Sequence, residues 1–316
     1  MAKTANQKLE QINKLKLSFI YKKLKINIAL METKIKIAIQ KSGRLYEDSV
    51  ALLKECGIRF SAYGSRLKAE ARNFPAEILF LRVSDIPAYV EDGVVDIGII
   101  GENVHIEKNK DIDIIDYLGF SKCRVSLAVK RELEYDGLEY FEGKRVATSY
   151  PHTLKTFFER KNINVDVHLI SGSVEIAPSI GLADAVCDIV STGSTLLSNG
   201  LKEVETILKS QAVLVANQTL GSDKQALLDK LMFRIKAYKK AKNTKYILLN
   251  APNDKLEEIV DIIPGMKSPT ILPLAEEGWS SVHSVIDEDD FWNIIDKLQE
   301  KGAGGILIVP IEKMIV

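Results

Sequence analysis

Residues 181–201 read GLADAVCDIVSTGSTLLSNGL, an order of side-chain types able to hold a phosphorylated sugar. The run 185–190 is apolar, long enough for a buried strand and too short for a helix. Ser191, Thr192, Gly193, Ser194 and Thr195 break it with hydroxyls and a glycine, and Leu196 and Leu197 open a helical segment. Strand, small polar loop and helix start make an anion site, because the first N–H groups of a helix lack partners within it and carry the positive end of its dipole. Gly193 lets the backbone come close to the anion. Asp188, at the end of the expected strand, has another use, since a carboxylate repels phosphate but accepts bonds from ribose hydroxyls or binds magnesium. Phosphate and diol together describe a phosphoribosyl group. The same residues also suit an ordinary capped helix after a buried strand, because Ser and Thr favour caps for local reasons.

A second anion loop lies near the start of the chain. Residues 34–39 alternate as a strand, Gln40-Lys41-Ser42-Gly43-Arg44-Leu45 form a loop, and a helix is expected over about 46–56, stopped by Gly57. Lys41 and Arg44 suit a pyrophosphate or triphosphate, Arg44 in bidentate fashion, although two solvated charges in a turn would look the same. A strand over 77–83 ends beside Arg82, with Ser84 and Asp85 as a cap and Pro87 in the following helix. Residues 96–101 form a further buried strand with a turn at Glu102 and Asn103. Alternating strands and helices predict an open α/β sheet that binds ligands beyond the carboxyl ends of its strands.

Residues 123–129 are expected to cross into a second lobe. A strand over 145–148 leads to a helix to about 161 with Ser149 as cap and Pro151 in its first turn. His152 in that turn is either a surface histidine or a group facing the same cleft as the loop. After a strand over 165–170, Glu175 stands where it could cap the next helix. Residues 211–216 are expected as a strand and 222–242 as a long helix joining domains, with Leu227, Leu228, Leu231, Ile235 and Tyr238 at helical spacing. From residue 245 the elements spell βαββαβ, a ferredoxin-like unit. It holds no phosphate loop, so sensing or assembly suits it better than chemistry.

Lys plus Arg and Asp plus Glu are both 43, so no global field favours nucleic acid or a membrane surface. Cys56, Cys123 and Cys187 are far apart, which fits a reducing, cytoplasmic setting. His105, His152, His168 and His283 are equally scattered, so a metal held by protein alone is not expected. No apolar run reaches the length of a membrane span. Residues 1–33 are rich in lysine, with Glu10 and Glu32 as their acids, and form a basic extension; Met31 leaves open a later translation start that would make 1–30 foreign to the native chain.

DIVSTGSTL resembles the phosphoribosyl-diphosphate (PRPP) loop of phosphoribosyltransferases. Together with NGLKEVE, GSVEIAPSIGLADA, TSYPHTLK, GVVDIGIIGENV and IQKSGRL, it makes the chain resemble the ATP phosphoribosyltransferase family from about residue 35 to the C-terminus. The resemblance implies a two-lobed, periplasmic-binding-protein-like catalytic region: lobe I over 34–122 with 211–220 returning, and lobe II over 123–210. A linker helix over 221–243 and a regulatory ACT-like domain over 244–316 would follow. It implies ATP and PRPP as substrates, Mg2+ carried mainly by substrate, and the first step of histidine synthesis. By the same resemblance Asp188, Glu175 and the 191–195 loop hold PRPP, Arg44 and Arg82 act at the reacting phosphates, and Lys41, Gly43, Arg124 and His152 bind ATP. Histidine would inhibit at Asn250, Ser268 and Thr270, with AMP a candidate second effector, in a homo-oligomer from dimer to hexamer. Many other transferases carry two adjacent acids at the loop; here the first is Cys187, which argues against a salvage enzyme. A two-lobed anion-binding protein without catalysis, and a regulatory protein with passive front lobes, remain the rivals.

Overall fold

The computed structural model describes residues 33–61 and 67–315, so the basic extension expected over 1–33 lies, apart from Thr33, outside the described residues. The chain divides into two compact units, Met1–Leu227 and Leu228–Val316. In the first, strands β1 (Ile35–Gln40), β2 (Lys68–Glu70), β3 (Ala76–Leu81), β4 (Ile97–Gly101) and β5 (Asp113–Tyr117) belong to one sheet. Strands β6 (Cys123–Lys130), β7 (Arg145–Thr148), β8 (Asp166–Leu169), β9 (Ala185–Val190) and β10 (Leu201–Ser210) form another, after which β11 (Ala212–Ala216) returns to the first.

The first sheet has the order β2-β3-β1-β4-β11-β5, with β1 parallel to both β3 and β4. A central parallel strand is covered on both faces, which is why Ile35, Ile37, Ala38 and Ile39 are all fully buried despite the alternating sequence. Helices α1 (Arg44–Glu55), α2 (Ile86–Glu91) and α3 (Glu102–Lys108) follow β1, β3 and β4. The second sheet has the order β10-β6-β9-β7-β8 and carries α4 (Pro151–Glu159) and the short α5 (Ser194–Ser198). The lobes are joined by two crossings, one over residues 118–122 and one at Gln211. Gly119 donates its N–H to Gln211 Oε1 at 3.1 Å, tying the crossings together, and Ser121 Oγ donates to Asp48 on α1 at 2.7 Å. Two α/β lobes with a double crossing are the periplasmic-binding-protein-like plan.

Several local expectations change. The ten-residue β10 was not foreseen, because Lys202, Glu203, Glu205 and Lys209 look like loop residues; they are tolerated on an edge strand, where charge also blocks further pairing. The helix expected after Ser173 is only a three-residue 3-10 turn, Val174–Ile176, and Glu175 makes no cap bond there. Ser149 does not cap α4, since its hydroxyl turns to the Ile170 carbonyl at 2.6 Å. Ser84 likewise bonds Asp85 rather than the start of α2, which has no side-chain cap.

Helix α6 (Ser222–Lys242) contains the division between the units. Its first turn is tied to the first sheet by Asp96, only 3% exposed, whose two oxygens accept from Lys36 N and Lys224 Nζ, each at 2.7 Å. Lys224→Met should destabilise the first unit by about 2 kcal/mol, less than for a fully buried pair because Lys224 keeps part of its side chain in water. A lowered urea midpoint with unchanged slope checks this.

The second unit consists of β12 (Thr244–Pro252), α7 (Leu256–Ile262), β13 (Thr270–Pro273), β14 (Trp279–Asp287), α8 (Phe291–Glu300) and β15 (Gly304–Pro310). The all-antiparallel order β13-β14-β12-β15 is ferredoxin-like. Ile247, Leu249, Ala251, Val282 and Ile286 point to one face of the sheet and pack with Ile259 and Leu298 of the helices. Among the described residues no helix is long and apolar enough to cross a membrane.

Candidate active site

The loop after β1 is held at the carboxyl end of the first sheet, where Lys41 N donates to Leu81 O at 2.9 Å beside Arg82. Gly43 takes φ 87° at the start of α1, a turn a side chain would strain, and its carbonyl accepts Glu47 N at 3.1 Å. Lys41, Arg44 and Arg82 are exposed, and among the described residues none is in an ion pair. Three unneutralised cations at one sheet edge make an electropositive rim.

In the second lobe, β9 delivers Asp188 to the opposite side of the cleft. Burial raises its carboxyl above the ordinary range; one oxygen accepts the neighbouring Ile189 N–H at 2.8 Å, which works the other way, and the charge of Glu175 raises it further. The two carboxylates are close enough for one charge to act on the other, an acceptor pair that suits ribose hydroxyls and not phosphate. The adjoining Ser191–Thr195 stretch turns at Gly193 (φ 82°), with Thr192 Oγ1 and Ser194 Oγ 3.0 Å apart. Since α5 is only five residues long, an anion there would depend on local N–H groups and hydroxyls more than on a helix dipole. Cys187 is fully buried and its thiol is pushed up to about 12 by burial, so β9 supplies one acid and not two.

The lobes face each other across a cavity of about 310 Å3 lined by Gln40 and Arg44 on one side and Tyr150, Ile189 and Ser191 on the other. An adjoining cavity of about 420 Å3, sharing Cys123 and Ser191, brings in Lys122, Arg124 and Lys209. Arg124 is committed in a bidentate pair to Glu203 on β10, and its Nη1 donates to the Ser191 carbonyl at 3.1 Å. It therefore braces the hydroxyl loop from beneath, a role the sequence did not indicate.

His152 is not in this cleft. It lines a separate cavity of about 630 Å3 with His105, Phe157 and Arg160, and its backbone N–H donates to Glu107 at 3.0 Å. Conversely, Tyr150 was overlooked. Burial, with the Asp188 charge adding, holds its phenol well above the usual value, so it stays neutral, and its oxygen accepts Asn103 Nδ2 at 3.3 Å. Nothing in its local sequence sets it apart, and Lys209 and Glu203 were hidden with the unforeseen strand.

In the second unit a cavity of about 440 Å3 gathers Ser268 and Thr270 with Tyr246, Lys267 and His283. Both ring nitrogens of His283 are engaged, by Tyr246 OH and Ser281 Oγ, each at 3.0 Å. Asn250 is not among the lining residues; it lies four residues beyond Tyr246 on β12, about 13 Å along an extended strand, beside Gly305.

The family profile described as ATP phosphoribosyltransferase matches residues 82–237, and that described as HisG, C-terminal domain, matches residues 241–313. The ATP phosphoribosyltransferase of Cytophaga hutchinsonii is 57% identical over 285 residues, covering 90% of this chain and 100% of that protein. Its counterpart in Phocaeicola vulgatus is 54% identical over 282 residues, covering 89% and 100%. Among solved structures, a chain of the ATP phosphoribosyl transferase (HisG:HisZ) complex from Thermotoga maritima aligns with a TM-score of 0.55 and 30% identity, covering 64% of this chain and 98% of that one.

Proposed function

The chain belongs to the ATP phosphoribosyltransferase family, and from that premise we propose how its lobes join N1 of the ATP adenine to C1 of PRPP in histidine synthesis. The family match sets aside a non-catalytic anion-binding protein. The observation that carries the assignment is the cleft in which Gln40 and Arg44 of one lobe face Tyr150, Ile189 and Ser191 of the other, with Asp188 close enough for its charge to act on Tyr150.

The 5′-phosphate sits on Ser191–Thr195, with Asp188 and Glu175 accepting from the ribose hydroxyls. Lys41, Arg44 and Arg82 take the pyrophosphate and ATP phosphates, and Gly43 lets those phosphates approach the backbone. The adenine N1 lone pair forms the new bond to C1 as the C1–O bond breaks and its electrons leave with pyrophosphate. N1 needs no prior deprotonation, so the protein works by aligning two anions and stabilising the charge that develops on the leaving group. The donor set fits magnesium carried by substrate: Asp188 and Glu175 would offer it carboxylates beside the loop, and the ion would neutralise pyrophosphate oxygens. Arg124 holds the loop through the Ser191 carbonyl.

The second unit is assigned as a histidine sensor in a cytoplasmic homo-oligomer up to a hexamer, with AMP a further candidate inhibitor. Support comes from the cavity that Ser268 and Thr270 line and from exposed Leu272, Leu307 and Val309 on the sheet face opposite the helices, which offer subunits an apolar surface to cover. Thr270→Ala should raise the histidine inhibition constant about tenfold, the loss of one bond to a charged ligand, with uninhibited turnover unchanged. Equal loss of turnover and inhibition would show Thr270 to be structural.

The deciding experiment follows phosphoribosyl-ATP formation from ATP, PRPP and magnesium, with and without histidine. Turnover suppressed by histidine supports both units' assignments. Turnover without suppression removes the sensor, and absence of turnover removes the catalytic assignment.

A further inference from the structure

Helix α4 in the second lobe has no cap of its own. Ser149 is turned to Ile170, Tyr150 at the N-cap makes no side-chain cap bond, and Pro151 has no N–H to offer. The missing acceptor comes from the other lobe. Glu107 on α3 accepts His152 N at 3.0 Å, Thr153 N at 2.9 Å and Thr153 Oγ1 at 2.8 Å. One turn earlier on α3, and so on the same face, Asn103 Nδ2 donates to Tyr150 OH at 3.3 Å. Asn103 is itself fixed at the second crossing: its N–H donates to Ser210 Oγ and Ser210 Oγ donates to its Oδ1, both at 3.0 Å. One face of a first-lobe helix is thus fastened to the first turn of a second-lobe helix, next to the strand that links the lobes.

We propose that Glu107 is a positioning residue that presets the angle between the lobes, so that the Ser191–Thr195 loop and Arg44 confront each other before either substrate arrives. The proposal rests on the catalytic reading above, in which each lobe grips a different part of the reacting pair. Where catalysis is alignment, an opening of about 1 Å costs on the order of a hundredfold, and a protein without a preset angle draws that alignment from substrate binding. Glu107 supplies it from within the fold: an anionic acceptor aimed at free N–H groups at a helix start is a strong, directional contact. Among the described residues no other side chain is seen capping α4, so water is what its first turn is left with if the lobes separate.

The test is Glu107→Gln in the full chain, a change of nearly equal volume that leaves one acceptor oxygen but removes the second and the charge. KM for both ATP and PRPP should rise about tenfold, with kcat within about threefold of the parent. Thr153→Val, which removes only the hydroxyl bond, should give a smaller rise in both KM values. The double variant should be no worse than Glu107→Gln alone, because both changes cut the same contact. Small-angle scattering gives a readout apart from turnover: the parent should keep its radius of gyration when PRPP and ATP are added, whereas Glu107→Gln should contract. If KM stays constant and kcat falls only with the folded fraction, Glu107 is a local helix cap and the proposal fails. A parent protein that contracts as much as the variant would also overturn it, whereas a parent without turnover would instead overturn the catalytic reading.

Discussion

Asp188→Asn should lower kcat/KM for PRPP by about 10²–10³-fold while leaving the fold as stable as before or more so. The activity loss comes from replacing a carboxylate that accepts ribose hydroxyl bonds by an amide whose N–H₂ faces those hydroxyls; bonds to a charged acceptor are each worth about 1.5–3 kcal/mol, and the diol makes two. The stability gain follows from the sign of the Asp188 shift. Its folded carboxyl is raised, mainly by burial and then by Glu175, so the folded state holds its proton more tightly than the unfolded chain does. The burial cost is therefore absent below the unfolded value near 3.8, grows as pH rises from there, and is fully present above the higher folded value. Asparagine carries no charge to desolvate, yet its carbonyl still accepts the Ile189 N–H. Denaturation at pH 7 should show the variant level with or above the parent, with the gap closing on acidification. A variant that loses stability and activity together would make Asp188 a structural residue of β9.

Arg44→Ala should cut kcat by about a hundredfold with little change in stability. Arg44 is exposed and in no ion pair among the described residues, so its removal leaves no buried partner behind. It also lines the cleft close to Cys123, where its charge opposes the rise that burial causes in that thiol. A cation held free of carboxylates at the mouth of an anion cleft is available to the leaving pyrophosphate, and one preorganised donor of this kind is worth about 3 kcal/mol in the transition state. Arg44→Lys should recover part of the rate, since the charge remains but the planar fork that grips two phosphate oxygens is gone. A change confined to KM, with kcat retained, would mean that Arg44 binds ground-state phosphate and not the developing charge.

Both expectations concern residues that local sequence made visible, and the reason is geometric. A phosphate cradle is built from consecutive residues, so Ser191–Thr195 with Asp188 just before it, and Lys41 to Arg44 after β1, show their chemistry in one dimension. Glu175 was visible as a carboxylate, but the helix expected around it is a single 3-10 turn whose backbone starts at Ser173 with φ 50°. Arg124 was visible as a site residue, but its bracing of the hydroxyl loop was not, because its partner Glu203 lies on a strand disguised by its charges. The places of His152 and Asn250 were hidden for a related reason: each lies on an element that does reach the expected cavity, yet its position along that element keeps it out of the lining.

Alternation with period two and apolar spacing near 3.6 are properties of neighbouring residues, so the α/β character, the hydroxyl loop and the βαββαβ order were all present in the sequence alone. Which side chains meet across the lobes depends on where the chain crosses between two sheets, and no local pattern encodes that. Glu107 meets Thr153 over 46 residues, Arg124 meets Glu203 over 79, and Asn103 meets Ser210 over 107. Those three contacts brace the hydroxyl loop and fasten the lobes. Tertiary structure alone decided them, because long-range pairing is selected by packing of the whole unit and not by the preferences of any segment.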